Sequence, residues 1–290
     1  MINKLLALLF TLVSSINILA QDKYALIIGI GNYKEETGWT PIHGNNDIPI
    51  IRQWLLSNQF KENNISILRD SEATHDAIIK EFNCLIDNID KNDIVYIHFS
   101  GHGQQITDLN GDENDGYDEA WIPFDAYKEY KENVYMGEKH IVDDNLNELL
   151  TKIRTKIGDN GKIVVVSDAC HSGSGSRSED VDEEIYVRGV NDKFLIPSRF
   201  ACNNESYAEN DVDWLFIGAC KSYQSNFEYK HIDTYYGSLS YIISHNEIDV
   251  LSNNHHDVIE EWQRKLTDIS FYPQNIDKEG TPNKKSKTLF

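Results

Sequence analysis

The stretch KIVVVSDACHSG, residues 162–173, decides how the fold is interpreted. Four β-branched apolar residues, Ile163–Val166, predict a strand buried on both faces, because apolar and polar side chains do not alternate there. A polar turn with a cysteine at position 170 follows directly. In open α/β sheets, the carboxyl ends of the strands are where binding and catalytic groups lie. The stretch therefore predicts a rigid strand that presents an exposed, reactive Cys170.

Apolar runs elsewhere in the chain predict four more strands, at 24–30, 65–68, 94–100 and 214–219. Apolar residues at helical spacing predict helices at 46–58, 74–89, 142–157, 236–246 and 258–266. We expect Thr74 and Asp144 to cap the second and third of these helices. Strands that alternate with helices imply right-handed crossovers, so the predicted fold class is α/β, with a mostly parallel central sheet and helices on both faces.

The composition narrows the classes of partner. The chain has 290 residues, 40% of them hydrophobic, and a formal net charge of −20 from 27 basic and 47 acidic side chains. The hydrophobic fraction supports a packed core. The negative charge argues against nucleic acid as a partner, because binding nucleic acid requires a basic face. Cationic ions or cationic substrates are the natural counterparts of such a surface.

The first 20 residues, MINKLLALLFTLVSSINILA, form an apolar run behind Lys4. This pattern predicts a signal peptide that is cleaved after Ala20, and hence an exported protein, secreted or periplasmic, with no membrane span after cleavage. A single membrane anchor is the alternative. In an oxidising compartment up to two disulfides could form among the four cysteines, whose pairing the sequence leaves open: Cys84, Cys170, Cys202 and Cys220.

The third predicted strand ends in FSGHGQQ, residues 99–105, and places a histidine at position 102. If this strand is a parallel neighbour of the strand before Cys170, His102 and Cys170 lie at the same edge of the sheet. A thiolate beside an imidazole provides a nucleophile and a base for acyl transfer. The flanking glycines leave backbone N–H groups free to bind an oxyanion. His171 is a rival base, but as the neighbour of Cys170 its side chain should point elsewhere.

These motifs resemble a known family. HFSGHGQQ and SDACHSG, with YALIIGIGNY and NND upstream, are similar to the metacaspase branch of the caspase-like cysteine peptidases (peptidase C14, clan CD), of bacterial type. The resemblance covers about residues 23–250 and differs from true caspases around the nucleophile. It implies a caspase-like three-layer sandwich and a thiol endopeptidase that needs no cofactor for its chemistry.

The resemblance also implies a role for each matching residue. His102 is the general base, Cys170 is the nucleophile, and the backbone N–H groups of Gly103 and Cys170 form the oxyanion hole. The S1 pocket, which binds the side chain before the scissile bond, is matched by Asp47, Ser100 and Asp168. Two carboxylates in a partly closed pocket favour a guanidinium or ammonium group, so we expect cleavage of peptides or proteins after Arg or Lys. Asp47 has a second interpretation as a helix N-terminal residue.

The acidic stretch DLNGDENDGYDE, residues 108–119, resembles a calcium loop. An EF-hand is one interpretation, although Glu113 stands where that loop needs glycine; its ligands would be Asp108, Asn110, Asp112 and Glu119. The family resemblance instead implies Ca²⁺ as an activator, with the ligands Asp118, Asp143 and Asp144. A third interpretation is that these carboxylates only solvate a loop.

A long polar linker, residues 173–211, divides the predicted peptidase domain, residues 21–290, into two parts. These are a large-subunit-like part at 21–172 and a small-subunit-like part at 212–290. The linker carries basic residues at positions 177, 188, 193 and 199. An enzyme that cuts after basic residues could cleave itself there, which would mimic the two-subunit processing of the family.

Two other classes of function stay open. The first is a catalytically idle, calcium-dependent binding module, against which the presence of both His102 and Cys170 argues. The second is a thiol oxidoreductase, and the absence of a CxxC motif argues against it. The sequence does not determine the natural substrate, the activation trigger or the oligomeric state.

Overall fold

The computed structural model describes residues 21–113, 115–171, 185–197 and 213–290. The predicted signal peptide lies outside these residues, as do Cys202 and the basic linker positions 177 and 199. The other two basic linker positions, Arg188 and Lys193, are described.

The centre of the molecule is a six-stranded sheet. Its strands are β1 (Lys23–Gly29), β2 (Ile65–Arg69), β3 (Ile94–Ser100), β7 (Lys162–Asp168), β8 (Leu215–Gly218) and β11 (Asp277–Gly280). Their order is β11-β8-β7-β3-β1-β2, and every neighbouring pair is parallel except β11 with β8. The residues of β3 and β7 are all buried, as expected for strands covered on both faces.

Among the described residues, five α-helices cover the two faces of this sheet: α1 (Asp47–Ser57), α2 (His75–Asn88), α3 (Asp143–Ile157), α4 (Ser238–Ser244) and α5 (His255–Ile269). Alternate residues of β1, β3 and β7 enter different cores. Leu26 and Ile28 of β1 join the core beneath α2 and α3, whereas Ala25 and Ile27 join the core beneath α1, α4 and α5. The predicted three-layer α/β architecture is therefore confirmed.

Two small antiparallel sheets lie outside the central one. The first contains β4 (Gly103–Thr107), β5 (Tyr117–Trp121) and β6 (Ile141–Val142), and the second is the hairpin of β9 (Glu228–His231) and β10 (Thr234–Gly237). Thr74 caps α2 as predicted, because its hydroxyl accepts a hydrogen bond from the Ala77 N–H. The predicted cap at Asp144 is wrong: α3 begins one residue earlier, so Asp144 lies in its first turn. In the described part of the chain, no helix is both long enough and apolar enough to cross a membrane.

Candidate active site

The register of the central sheet brings the predicted nucleophile and base to one edge. Ser100 at the end of β3 pairs with Asp168 at the end of β7, and both strands run in the same direction. His102 and Cys170 each follow two residues later, so both lie at the carboxyl edge of the sheet. Cys170 was expected to be exposed, but it is 1% exposed. Its burial has a structural cause, because residues 185–197, which we call the covering segment, pass over it.

His102 is held as a neutral imidazole with one free nitrogen. Nε2 lies 2.9 Å from the carbonyl oxygen of Thr40, which assigns the ring proton to Nε2. The backbone N–H of His102 donates to the Tyr33 hydroxyl at 2.7 Å, and the ring stacks on Trp39 with centroids 4.8 Å apart. Burial lowers the pKa of His102 to about 4, although the Thr40 carbonyl acts in the opposite direction. Nδ1 is buried and has no hydrogen-bond partner among the described residues, so its lone pair is available to accept a proton.

Three elements bring the predicted pocket residues together. Asp47 begins α1, whereas Ser100 and Asp168 end the neighbouring strands β3 and β7, and all three are buried. The Ser100 hydroxyl donates to Asp47 Oδ2. The Asp168 carboxylate accepts hydrogen bonds from the N–H of Ser240 at 2.7 Å, from its hydroxyl at 2.6 Å and from the Asn226 amide at 2.8 Å. These bonds fix both carboxylates in place.

The guanidinium of Arg188 fills this pocket, and its side chain is fully buried. Nη1 lies 2.7 Å from Asp47 Oδ2 and 3.7 Å from Asp168 Oδ1. A third carboxylate contacts the other edge of the guanidinium: Nε donates to Glu228 Oε1 at 3.0 Å, and Nη2 lies 3.0 Å from the same oxygen. Asp47, Ser100, Asp168 and Glu228 together form what we call the acidic pocket.

The electrostatics of the acidic pocket show how strongly it depends on a cation. Burial raises the pKa of Asp47 to about 6, even though Arg188 acts to lower it. Burial also acts to raise the pKa of Asp168 and Glu228. Here Arg188 and the hydrogen bonds to each carboxylate outweigh burial, so both pKa values lie below their ordinary range. Burial acts to lower the pKa of Arg188, but the three carboxylates raise it overall. The guanidinium therefore stays charged.

The backbone of the covering segment adopts the path of an added strand. The Arg188 N–H donates to the Asn226 carbonyl at 2.9 Å, and the Glu228 N–H donates to the Tyr186 carbonyl at 3.0 Å. The Cys170 N–H donates to the Arg188 carbonyl oxygen at 2.7 Å. An extended peptide that pairs with a free backbone edge while its side chain fills a pocket is a recurring mode of peptide recognition. The chain binds its own residues 186–188 in this mode.

Gly189 continues the segment across the edge of the sheet, where it forms a bridge with Gly103. A Cβ atom at Gly189 would lie 2.3 Å from the Cys170 carbonyl oxygen, and one at Gly103 would lie 2.6 Å from the same atom. Only glycine allows the backbones to approach this closely. The Arg188–Gly189 peptide bond is consequently held against Cys170, with its carbonyl oxygen on a backbone N–H donor.

A second cysteine lies beside the predicted nucleophile. Cys220, which follows β8, has its Sγ 2.9 Å from Cys170 Sγ, and the Cys170 thiol donates to the Gln224 carbonyl at 2.6 Å. The pKa of the Cys220 thiol is raised by the hydrogen bond with Cys170 and by burial. The three described cysteines are free thiols, and Cys84 lies apart on α2.

The acidic stretch forms a cluster that contains the predicted metal ligands. Carboxylate oxygens of Asp108, Asp112 and Asp118 lie within 4.8 Å of one another. Burial and the neighbouring carboxylates raise the pKa of Asp118 to about 7 and that of Asp143 to about 8. The Asn110 amide donates to Asp144 Oδ2 at 2.6 Å. We call these five carboxylates the acidic cluster: Asp108, Asp112, Asp118, Asp143 and Asp144.

The EF-hand order of ligands is not formed. Glu119 follows Asp118 on β5 and therefore points to the opposite face, where it accepts a hydrogen bond from Gln105 at 3.3 Å. Within the acidic cluster, Oδ1 of Asp112 and Oδ1 of Asp143 are buried and have no hydrogen-bond partner among the described residues. Hard divalent cations such as Ca²⁺ take oxygen ligands of this kind, so the residues present fit the ion that was expected.

Comparison with known proteins finds a matching family model and several similar proteins. The family model for the metacaspase, peptidase C14 domain matches residues 23–177, more than half of the chain. Metacaspase-1 of Eremothecium gossypii is 31% identical over 161 residues, which cover 53% of this chain and 32% of that protein. Metacaspase-1 of Emericella nidulans is 33% identical over 158 residues, covering 52% and 35%. The matched region thus spans about a third of these relatives' length.

One solved structure supports the fold. The crystal structure of protein GSU0716 from Geobacter sulfurreducens aligns with a TM-score of 0.60, covers 92% of this chain and 97% of that one, and shares 20% sequence identity. At this identity the likeness concerns the fold alone. The expected caspase-like architecture agrees with it.

Sequence reasoning missed Glu228 of the acidic pocket and also Arg188, which fills that pocket. Glu228 lies in the stretch SNFEY of the predicted small-subunit-like part, where no motif indicates a role for the glutamate. Arg188 was only one of four basic linker positions, and the sequence did not distinguish it from the others. A glycine directly after it, in VRG, is the one local feature that could have done so.

Proposed function

The chain belongs to the metacaspase family of peptidase C14, and from that premise we propose that it is a cysteine endopeptidase that cleaves after Arg or Lys. Peptidases of this family are cysteine-type hydrolases. The observation that supports the specificity is the side chain of Arg188, which lies fully buried against three carboxylates beside Cys170. An acidic side chain in that place would be repelled by the same groups.

The proposed reaction begins at the Cys170 sulfur. The thiol proton passes to Nδ1 of His102, and the thiolate attacks the carbonyl carbon that follows the bound basic side chain. The Cys170 and Gly103 N–H groups stabilise the negative oxygen of the tetrahedral intermediate. The C–N bond then breaks, and His102 returns the proton to the departing amine. Water, deprotonated by His102, attacks the acyl-enzyme, the C–S bond breaks, and Cys170 regains its proton from His102.

We further propose that the first substrate is the chain itself, at the Arg188–Gly189 bond. The Arg188 carbonyl oxygen already accepts a hydrogen bond from the Cys170 N–H at 2.7 Å. Until this bond is cut, the covering segment excludes other substrates from the acidic pocket. After cleavage, the new carboxyl terminus at Arg188 could leave the acidic pocket. The two-subunit processing of the family would then also activate the enzyme.

Calcium is proposed as an activator held by the acidic cluster. The residues that would bind it are Asp108, Asp112, Asp118, Asp143 and Asp144. When bound, the ion would supply positive charge that offsets the mutual repulsion of these carboxylates. Asp118 lies on β5, which pairs with β4, and β4 starts at Gly103. A change in the acidic cluster can therefore reach the oxyanion hole through one strand pairing.

The deciding experiment uses residues 21–290 with fluorogenic peptides that end in Arg, Lys or Asp. We expect hydrolysis of Arg and Lys peptides only, together with a new N-terminus at Gly189 found by N-terminal sequencing. Cys170→Ala should abolish both reactions, and Arg188→Gln should abolish the cut at this bond. A protein that hydrolyses none of these peptides, with calcium or with chelator, would favour the idle binding module.

A further inference from the structure

We infer that Glu228 makes this site select arginine over lysine. The inference rests on the proposed function, because it concerns which basic side chain the acidic pocket prefers. It differs from the expectation drawn from the sequence, in which two aspartates accept either side chain.

The contacts of Arg188 divide between two edges of the guanidinium. Nη1 faces Asp47 and the Ser100 hydroxyl, close to where a lysine ammonium could also bind. Nε and Nη2 form a second edge, and both lie 3.0 Å from Glu228 Oε1. Lysine has a single charged nitrogen at the end of its chain and no counterpart of Nε. A lysine that reached Asp47 would leave Glu228 without its cationic partner.

The Glu228 carboxylate is held in one orientation, so it cannot move to another partner when a guanidinium is absent. The His43 backbone N–H donates to Oε1 at 2.8 Å, and His43 Nδ1 lies 2.6 Å from Oε2. The His43 ring stacks on Tyr235, with centroids 5.0 Å apart, and meets the edge of Tyr186 at 4.5 Å. The Glu228 side chain is fully buried. His43 is therefore a positioning residue that orients the Glu228 carboxylate toward the guanidinium.

A fixed buried acceptor discriminates more strongly than an adaptable one. Bound arginine gains a charge-assisted hydrogen bond, whereas bound lysine leaves the buried carboxylate short of a donor. A site that hydrogen-bonds a polar group of its substrate rejects analogues that lack this group. The reason is that the buried partner in the site is then left unpaired and cannot return to water. For one such contact we expect a preference for arginine of roughly 10- to 100-fold in kcat/KM.

The first test uses self-cleavage at residue 188, which requires no added substrate. Four proteins are compared by gel and N-terminal sequencing: wild type, Arg188→Lys, Glu228→Gln and the double variant. We expect Arg188→Lys to slow the cut at least tenfold in the wild-type background and by less than threefold in the Glu228→Gln background. The four proteins form a double-mutant cycle, which separates the coupling between residues 188 and 228 from a general loss of activity. Equal slowing in both backgrounds would mean that the two side chains are not coupled, and would overturn the inference.

The second test measures peptide hydrolysis after self-cleavage is complete. Glu228→Gln should lower kcat/KM for Arg peptides far more than for Lys peptides, so that the Arg/Lys ratio falls about tenfold or more. Glu148→Gln, on the exposed outer face of α3, is the matched control and should leave the ratio unchanged. An unchanged ratio in an active Glu228→Gln protein overturns this inference alone. Absence of any turnover in the wild type overturns the proposed function, and this inference with it.

Discussion

The buried arginine of the covering segment gives the sharpest prediction about stability. We consider Arg188→Ala in a Cys170→Ala background, so that no cleavage occurs. The substitution removes the cation that Asp47, Asp168 and Glu228 share, and all three side chains are fully buried. Removing one partner of a buried ion pair costs about 3–5 kcal/mol, because it leaves an uncompensated charge out of water. We expect a loss in this range at pH 8.

The loss should depend on pH in a defined direction. The pKa of Asp47 is about 6 with Arg188 present, and removing the arginine takes away a group that lowers it. A protonated Asp47 carries no charge to compensate, so the effect of Arg188→Ala should shrink as the pH falls from 8 to 5.5. A carboxylate with a raised pKa gives stability that is present at low pH and lost as pH rises through that pKa.

Urea unfolding followed by circular dichroism measures this loss, and a small guanidinium compound provides the control for its cause. Ethylguanidinium should bind the emptied pocket and restore about 1.4 kcal/mol when present at ten times its dissociation constant. Ethylammonium should restore less. Arg264→Ala on the exposed face of α5 is the matched control, and it should leave the free energy of unfolding nearly unchanged. A loss below about 1 kcal/mol, with no response to ethylguanidinium, would refute the reasoning.

Three further predictions follow from other parts of the molecule. Calcium should raise Tm, and by more at pH 8 than at pH 6, because Asp118 and Asp143, with pKa values of about 7 and 8, must release protons to bind the ion. Scanning calorimetry at both pH values tests this, and Asp143→Asn should remove most of the increase in Tm. Burial lowers the pKa of His98, on β3, to about 4, so the unfolded chain binds a proton there more readily than the folded chain does. In the Cys170→Ala background, the free energy of unfolding lost on His98→Gln should therefore shrink by up to about 3 kcal/mol as pH falls from 6.5 to 4; a loss in urea unfolding that stays level across this range would contradict it. Diamide should inactivate the self-cleaved enzyme by oxidising Cys170 and Cys220, whose sulfurs lie 2.9 Å apart, to a disulfide, and it takes up the two electrons and two protons. Dithiothreitol should restore the activity. The Cys220→Ser enzyme should lose activity no faster with diamide than without it.

The elements that the sequence predicted well share one property. Residues 94–100 and 162–168 are strands buried on both faces, and a continuous apolar run has few other interpretations. Parallel pairing then fixes where the next residues lie, so the sequence alone could assign His102 and Cys170 to one edge. Ser100 and Asp168 were expected from the family resemblance, and the register of β3 and β7 places them at the same edge.

The strands that the sequence did not predict are short and carry polar residues. The hairpin of β9 and β10 and the edge strand β11 have four residues each, and their pattern is set by contacts with distant parts of the chain rather than by periodicity. Glu228 could not be assigned to the acidic pocket, because its partner, Arg188, lies 40 residues away in a stretch whose composition predicts a linker. A contact between two irregular segments leaves no periodic trace in either of them.

The acidic pocket also explains why the covering segment carries an arginine in particular. A site that attracts basic side chains needs buried carboxylates, and three of them without a cation would oppose folding in a chain that already carries a net charge of −20. Arg188 supplies that cation from within the chain, so its single positive charge offsets part of the negative charge of the three carboxylates in the uncut protein. Because the same contacts place the Arg188 carbonyl on the Cys170 N–H, the group that stabilises the uncut chain is also the group that makes it a substrate. Stability before cleavage and specificity after it therefore depend on one set of carboxylates, and a substitution that weakens the first should weaken the second.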